Sequence, residues 1–314
     1  MSTILITGGA GFIGSHLVEE MLGRGETVKV LDDLSTGRRQ NIESFVDRVE
    51  LIEGDLRRED TVRQAVAGCD YVLHQAALPS VPRSVEDPGL SHDVNVNGTL
   101  SLLIACREAG VKRIVMASSS SVYGDAPGFP RNEDQPPLPM SPYAAGKLAL
   151  EAYARSFAGV YEMETVCLRY FNIFGPRQNH KSQYAIAIPS FVTRMLAGDR
   201  PIVYGDGEQS RDFTYVKNAV HANVLALTAD GASGEAFNVG CGGSQTLNEI
   251  IKTINRILGT EIEAEYTDPR PGDPRRSQAD ISKAKGILGY EPQVDFEEGL
   301  RQTIDWFREH VTNR

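Results

Sequence analysis

Short apolar runs alternate with amphipathic stretches along the first half of the chain: STILIT, FIGSHLVEEMLGRG, TVKVLDD, VELIEGDL, DTVRQAVAG, DYVLHQAA and KRIVMASSSS follow one another. The apolar runs are nearly continuous and rich in Val, Ile and Leu, which suits strands buried on both faces, and the stretches between them suit crossover helices. This alternation predicts an α/β fold built on a doubly wound parallel sheet. Ser141-Pro142 reads as an N-cap followed by a first-turn proline, opening a helix through YAAGKLALEAYARSFAG. METVCLRYF predicts a sixth strand, and Gly175-Pro176 marks its end. Beyond it the elements shorten, with a Gly-rich turn in YGDGEQSRDF, breaks in DPRPGDP and a terminal helix in FEEGLRQTIDWFREH. The expected division is a sheet domain over residues 1–175 and a smaller C-terminal α+β lobe over 176–314, with a cleft between them and segments free to interleave.

Composition narrows the class. Hydrophobic residues make up 41% of the 314 and charged residues 24%, the usage of a compact globular protein. A net charge of −10 argues against a nucleic-acid partner, whose phosphates call for an excess of Lys and Arg. The opening MSTILIT has no basic segment, and no run approaches the ~18 apolar residues of a membrane span, so a cytoplasmic protein with no membrane partner is expected. Cys69, Cys106, Cys167 and Cys241 form no C-x-x-C pair and have no histidine at metal-ligand spacing, so reduced thiols and no metal site are expected.

The first strand runs into Gly8-Gly9-Ala10-Gly11-Phe12-Ile13-Gly14, a glycine turn ahead of a helix. Glycines let the backbone reach a pyrophosphate, whose charge meets free N–H groups and the positive end of the helix. The second strand ends in Asp32, about twenty residues on, where a carboxylate suits an adenosine ribose 2′-hydroxyl and disfavours a 2′-phosphate. This is the Rossmann pattern and it predicts NAD, although Arg38 and Arg39 stand close by. Gly54-Asp55-Leu56 and His74-Gln75-Ala76-Ala77 lie at the carboxyl ends of further strands, where ligands of open α/β sheets bind.

Tyr143 and Lys147 are four apart, one turn from each other on one helix face. An ammonium beside the phenol, reinforced by an oxidised nicotinamide, is expected to lower the phenol pKa so that Tyr143 acts as a base near neutrality. Ser118-Ser119-Ser120-Ser121-Val122-Tyr123-Gly124 closes the preceding strand with hydroxyls able to bond a sugar.

TGGAGFIG, DDLSTG, GDL, HQAA, SSSSVYG, SPYAAGK, LRYFNIFGPRQ, GDGEQSRDF and RPGDPRRSQADISKA occur in that order. From Thr3 to about Trp306 the chain resembles the extended short-chain dehydrogenase family, specifically its UDP-glucose and UDP-N-acetylglucosamine 4-epimerases. The resemblance implies that Ser119 and Tyr143 contact the sugar 4-hydroxyl, with Ser118 and Ser120 beside them, and that Lys147 binds the nicotinamide ribose. Its implied cofactor set joins Gly8, Gly11, Phe12, Ile13, Gly14 and Asp32 to Asp33, Ser35, Thr36 and Gly37, and adds Asp55, Leu56, Gln75, Ala76, Ala77 and Tyr170. Asn172, Arg211, Arg270 and Asp273 match nucleotide-diphosphate and ribose contacts, and Tyr204 a stacking position on the uracil.

Ser277 matches the position that gates the sugar C2 substituent, with room for an acetamido group. Pro79 stands where the glucose-specific branch often carries a Lys, and HQAALPSVPRS is similar to the acetamido-accepting branch. The resemblance implies NAD-dependent 4-epimerisation through a transient 4-keto sugar, without a metal, in a homodimer formed through NVNGTLSLLIACREAG and YAAGKLALEAYARSF. Other nucleotide-sugar chemistry of the family stays open: 4-ketosugar reduction, decarboxylation or uronate epimerisation. A non-catalytic dinucleotide sensor is the alternative from outside enzymology.

Overall fold

The computed structural model describes residues 1–180, 187–269 and 275–312. Six strands come from the first 170 residues: β1 (Thr3–Thr7), β2 (Thr27–Asp32), β3 (Val49–Glu53), β4 (Tyr71–His74), β5 (Arg113–Ser119) and β6 (Glu164–Tyr170). Strand Glu235–Val239 joins β6 as a seventh, so the sheet order is Glu235–Val239, β6, β5, β4, β1, β2, β3, parallel throughout. The doubly wound sheet expected from the alternating pattern is present.

The pleat explains the apolar runs. Ile4 and Ile6 point to one face, where helix α1 (Phe12–Gly23) contributes Leu17, Val18 and Met21. Leu5 points to the other, among Val62 of α2 (Glu59–Val66) and Leu102 of α5 (Gly98–Ala109). Between β4 and α5 lie two short helices, α3 (Val81–Glu86) and α4 (Pro88–His92), then a π-helical turn over Asp93–Asn97. Helix α6 (Pro142–Tyr161) opens as its sequence predicts: Ser141 caps it by accepting from the Ala144 N–H at 3.2 Å, and Pro142 sits in the first turn.

The order reverses at β1, with β2 and β3 on one side and β4 and β5 on the other. Ligands of such sheets bind outside the strand C-termini at this point.

Beyond β6 the described strands other than Glu235–Val239 have only two or three residues. Ser210–Arg211, Gln245–Thr246 and Arg276–Ser277 form a three-stranded sheet in which Ser277 pairs with Arg211 in parallel register. Helix Val216–Ala226 packs against α1. No described helix is long and apolar enough to cross a membrane.

Candidate active site

A cleft of about 950 Å3 lies along the C-terminal ends of β1, β2, β4 and β5 and is bordered on its far side by Arg211 and Ser277. Its floor is the glycine turn. Gly8 has φ +68, and a Cβ there would stand 2.7 Å from the Ala76 nitrogen; at Gly14 it would stand 2.0 Å from the Gly8 oxygen. Side chains are therefore excluded where the turn folds back on the first turn of α1. Gly11 occupies the N-cap with no side-chain cap, which leaves the opening N–H groups of α1 toward the cleft.

Asp32 is buried beside this turn and accepts from the Ala10 N–H at 2.9 Å and the Leu34 N–H at 2.8 Å. Burial pushes its carboxyl up, and the two N–H donors draw it back. A Cβ on Gly37 would meet the Asp32 carboxylate at 2.7 Å. Asp33 accepts from both the backbone N–H and the hydroxyl of Ser35, and all of Asp32, Asp33, Ser35, Thr36 and Gly37 border the cleft with Phe12 and Ile13. The missing glycine Cβ atoms leave open a cradle with room for a pyrophosphate, and Asp32 borders the cleft beside it.

The next wall joins three elements. Tyr170 of β6 donates to Gln75 Oε1 at 3.1 Å, accepts from Asn223 Nδ2 at 2.7 Å, and Gln75 donates to Asn223 Oδ1 at 3.1 Å. Leu56, Ala76 and Ala77 complete this wall. Asp55 borders the cleft too, but its carboxylate is paired with Arg57 at 2.5 Å, which holds it below the usual carboxylate range.

At the other end, Lys147 is buried and donates through Nζ to the Ala117 carbonyl at 2.7 Å, with Nζ 5.9 Å from the centroid of the Tyr143 ring. Burial pulls the ammonium down to about 8. The Tyr143 phenol is pushed above its ordinary value by burial, and its hydrogen bond with Ser119 draws it partly back. Among the protein's own groups burial outweighs the Ser119 contact, whereas the lowered phenol expected from the sequence includes the charge of an oxidised nicotinamide. The Tyr143 backbone N–H donates to Ser84 Oγ at 3.1 Å, fastening α3 to the start of α6.

Ser119 and Ser120 line this end, and Ser119 Oγ accepts from the Ser121 N–H and hydroxyl at 3.1 and 2.9 Å. Ser118 borders the cleft, but its hydroxyl donates away from it to Glu151 at 2.5 Å.

On the lobe side, Asn172 borders the cleft and donates to the Asp212 carbonyl at 3.0 Å, while Arg211 and Ser277 are brought together by strand pairing. Tyr204 ends strand Ile202–Tyr204 and is not among the residues bordering the cleft. Arg270 and Asp273 lie outside the described residues. Two cleft residues, and one behind the cleft, went unread in the sequence. Ser80 caps α3 by accepting from the Arg83 N–H, a signal present in Ser-Val-Pro-Arg. Gln178 is buried at the cleft edge, and its Oε1 has no partner among the described residues. Glu151 follows Lys147 by one helical turn, on the Tyr143 face.

The sequence pattern of the NAD dependent epimerase/dehydratase family matches residues 4–240. The chain is 41% identical over 309 residues to a UDP-glucose 4-epimerase of Mycolicibacterium smegmatis, across 97% of this chain and 98% of that one. It is similar to the structure of a UDP-N-acetylglucosamine 4-epimerase from Methanobrevibacter ruminantium in complex with UDP-N-acetylmuramic acid, at a TM-score of 0.95 and 41% identity over 99% of each chain. It is similar also to the Thermus thermophilus UDP-glucose 4-epimerase in complex with NAD, at a TM-score of 0.89 and 40% identity over 98% of this chain and 100% of that one. With a pattern and full-length relatives of this extent, the protein belongs to the NAD dependent epimerase/dehydratase family.

Proposed function

We propose that the chain is an NAD-dependent 4-epimerase of UDP-hexoses, with Tyr143 as the base, acting on UDP-glucose and UDP-galactose and on their 2-acetamido counterparts. The observation that carries this reading is the meeting of Tyr143, Ser119 and Lys147 at one end of a cleft whose other end is the glycine cradle beside Asp32. Gly8, Gly11 and Gly14, with the N-terminus of α1, would hold a pyrophosphate, Asp32 a ribose, and Gln75 and Tyr170 the wall beside the nicotinamide. When bound, NAD supplies an acceptor for the hydrogen on sugar C4 and gives that hydrogen back.

The chain's own residues handle the proton. Tyr143 takes it from the 4-hydroxyl, and Ser119, already hydrogen-bonded to the phenol, orients that hydroxyl. Lys147, fixed by the Ala117 carbonyl, presents a positive charge to the phenol and lowers the cost of the phenolate that burial alone raises. A 4-keto sugar results, and its rotation in the cleft before the hydrogen returns inverts C4. Arg211 and Asn172 serve the diphosphate end, where a guanidinium fork matches phosphate oxygens. Arg270, Asp273 and Tyr204 remain proposals for the nucleotide end. Ser277, beside Arg211, leaves space at the sugar C2 substituent, which favours acceptance of an acetamido group.

We assign residues 1–175 to cofactor binding and catalysis and 176–314 mainly to substrate binding. A cytoplasmic homodimer is part of the proposal. It is supported by the free thiols Cys69, Cys106, Cys167 and Cys241 and by the exposed Tyr153, Val160 and Tyr161 of α6. Incubation of the purified protein with a panel of UDP-sugars, followed by separation of the products, tests the function. Conversion between C4 epimers is expected for both glucose and N-acetylglucosamine forms, and absence of any conversion with NAD present rejects it.

A further inference from the structure

Behind the catalytic end lies a buried polar chain that the proposed reaction does not use. Tyr143, Lys147 and Glu151 repeat every four residues along α6, so all three side chains fall on the face packed against the sheet. Glu151 and Arg169 of β6 form an ion pair at 2.8 Å, with side chains 9% and 7% exposed. Arg169 Nε donates to Glu151 Oε1 at 2.9 Å, and the same oxygen accepts from Ser118 Oγ at 2.5 Å. Arg169 Nη1 donates to the Tyr123 hydroxyl at 2.8 Å, Tyr123 donates to Asn238 Oδ1 at 2.7 Å, and the Arg169 guanidinium lies 4.8 Å from the Tyr123 ring centroid.

Register places this chain one residue behind the catalytic end. Ser118 pairs with Arg169 across β5 and β6, and the next pair along is Ser119 with Tyr170. The strand segment leading to Ser119 is therefore held from α6 at two consecutive residues, by Lys147 at the Ala117 carbonyl and by Glu151 at the Ser118 hydroxyl. Burying such a pair gains little stability over apolar side chains of similar volume, because desolvation offsets the attraction. Fixing the direction of Ser119 and the charge at Lys147 is what this arrangement adds.

We propose that Glu151, paired with Arg169, is a positioning residue for the reaction, holding Ser118 and the end of β5 so that Ser119, Tyr143 and Lys147 keep their mutual geometry. The proposal rests on the catalytic roles assigned above to those three residues. Glu151 acts through them and borders no part of the cleft. It also faces Lys147 electrostatically: Tyr143 and Glu151 of α6, Cys167 of β6 and the buried neutral His74 of β4 surround the ammonium, and against the burial that lowers its pKa stand Cys167 and, more weakly, the Glu151 carboxylate.

The test is steady-state kinetics with UDP-glucose across pH on Glu151→Gln, the paired apolar variant Glu151→Leu/Arg169→Met, and Ser118→Ala. Misplacement at one remove from the chemistry predicts kcat for Glu151→Gln lowered ~10- to 100-fold with KM within threefold of the parent. With the carboxylate charge gone, Lys147 loses its proton at lower pH, so the alkaline limb of the kcat profile moves to lower pH. The paired variant regains the parent Tm and stays slow. Ser118→Ala, the mildest change, is expected to lower kcat severalfold with Tm within a few degrees, and it decides the matter if the other two do not fold.

A parent-like kcat and an unmoved alkaline limb in Glu151→Gln, or in a folded Ser118→Ala, overturn the proposal and leave the pair as a fastening only. Tyr143→Phe measured alongside separates the two levels. If it stays active, the assigned catalytic roles fail; if it is inactive while the Glu151 and Ser118 variants turn over normally, only the positioning role fails.

Discussion

The cofactor wall of the cleft stands on strands of four to seven residues locked by parallel register, whereas the wall carrying Arg211 and Ser277 stands on strands of two. In the first, Asp32, Gln75, Lys147 and Tyr170 each have a hydrogen-bond partner from another element. In the second, Arg211 and Ser277 come from segments more than sixty residues apart and meet through strands joined by two registered pairs. A wall built on long register can hold atoms to the tolerance that proton transfer needs, and a wall of short pairs can change its lining without disturbing the sheet. The contrast suits one fixed reaction applied to varied sugars.

Substitutions on the first wall should therefore abolish function, and those on the second should redirect it. The largest effect is expected for Tyr143→Phe, where loss of the base lowers kcat by ~10²-fold or more with the fold unchanged. Near-parental turnover would remove the chemistry from this wall. Gly14→Ala comes next. Its Cβ would stand 2.0 Å from the Gly8 oxygen, and forced repacking of ~1–3 kcal/mol predicts NAD affinity weaker by roughly 10- to 100-fold in a fluorescence titration. An affinity equal to the parent's would mean that the turn does not need the close approach.

For Asp32→Ala the account expects about tenfold weaker NAD binding and a narrowed preference over NADP, since a charge-assisted acceptor is lost. Competitive titration of the two cofactors measures it, and an unchanged ratio would leave Asp32 as a brace for Ala10 and Leu34 alone. The smallest change in overall activity belongs to Ser277→Tyr. Turnover of UDP-N-acetylglucosamine should fall about tenfold relative to UDP-glucose, because a bulkier side chain overlaps the acetamido group and not the hydroxyl. A parallel loss on both sugars would show that this wall carries no selectivity.

The same contrast governs what could be read from the sequence. Signals confined to a few neighbouring residues were legible: the apolar runs of the sheet, the glycine turn, the Ser141-Pro142 cap and the Tyr143–Lys147 spacing. Elements defined by distant partners were not. Strand Glu235–Val239 joins β6 across some sixty-five residues and carries only five residues of pattern. Ser118 reads like its serine neighbours, yet the pleat turns its hydroxyl to Glu151, a partner that no local motif announces. The burial that raises the Tyr143 phenol is likewise set by packing that no local motif displays.

The most direct test of the central claim uses UDP-glucose deuterated at C4, incubated with the purified protein and NAD and analysed by mass spectrometry of the separated UDP-sugars. Oxidation and re-reduction at one carbon, with the same hydrogen returned to the opposite face, predicts UDP-galactose that retains the deuterium and gains none from deuterated water in the converse experiment. Absence of UDP-galactose, or product that has exchanged its C4 hydrogen with solvent, would contradict the account.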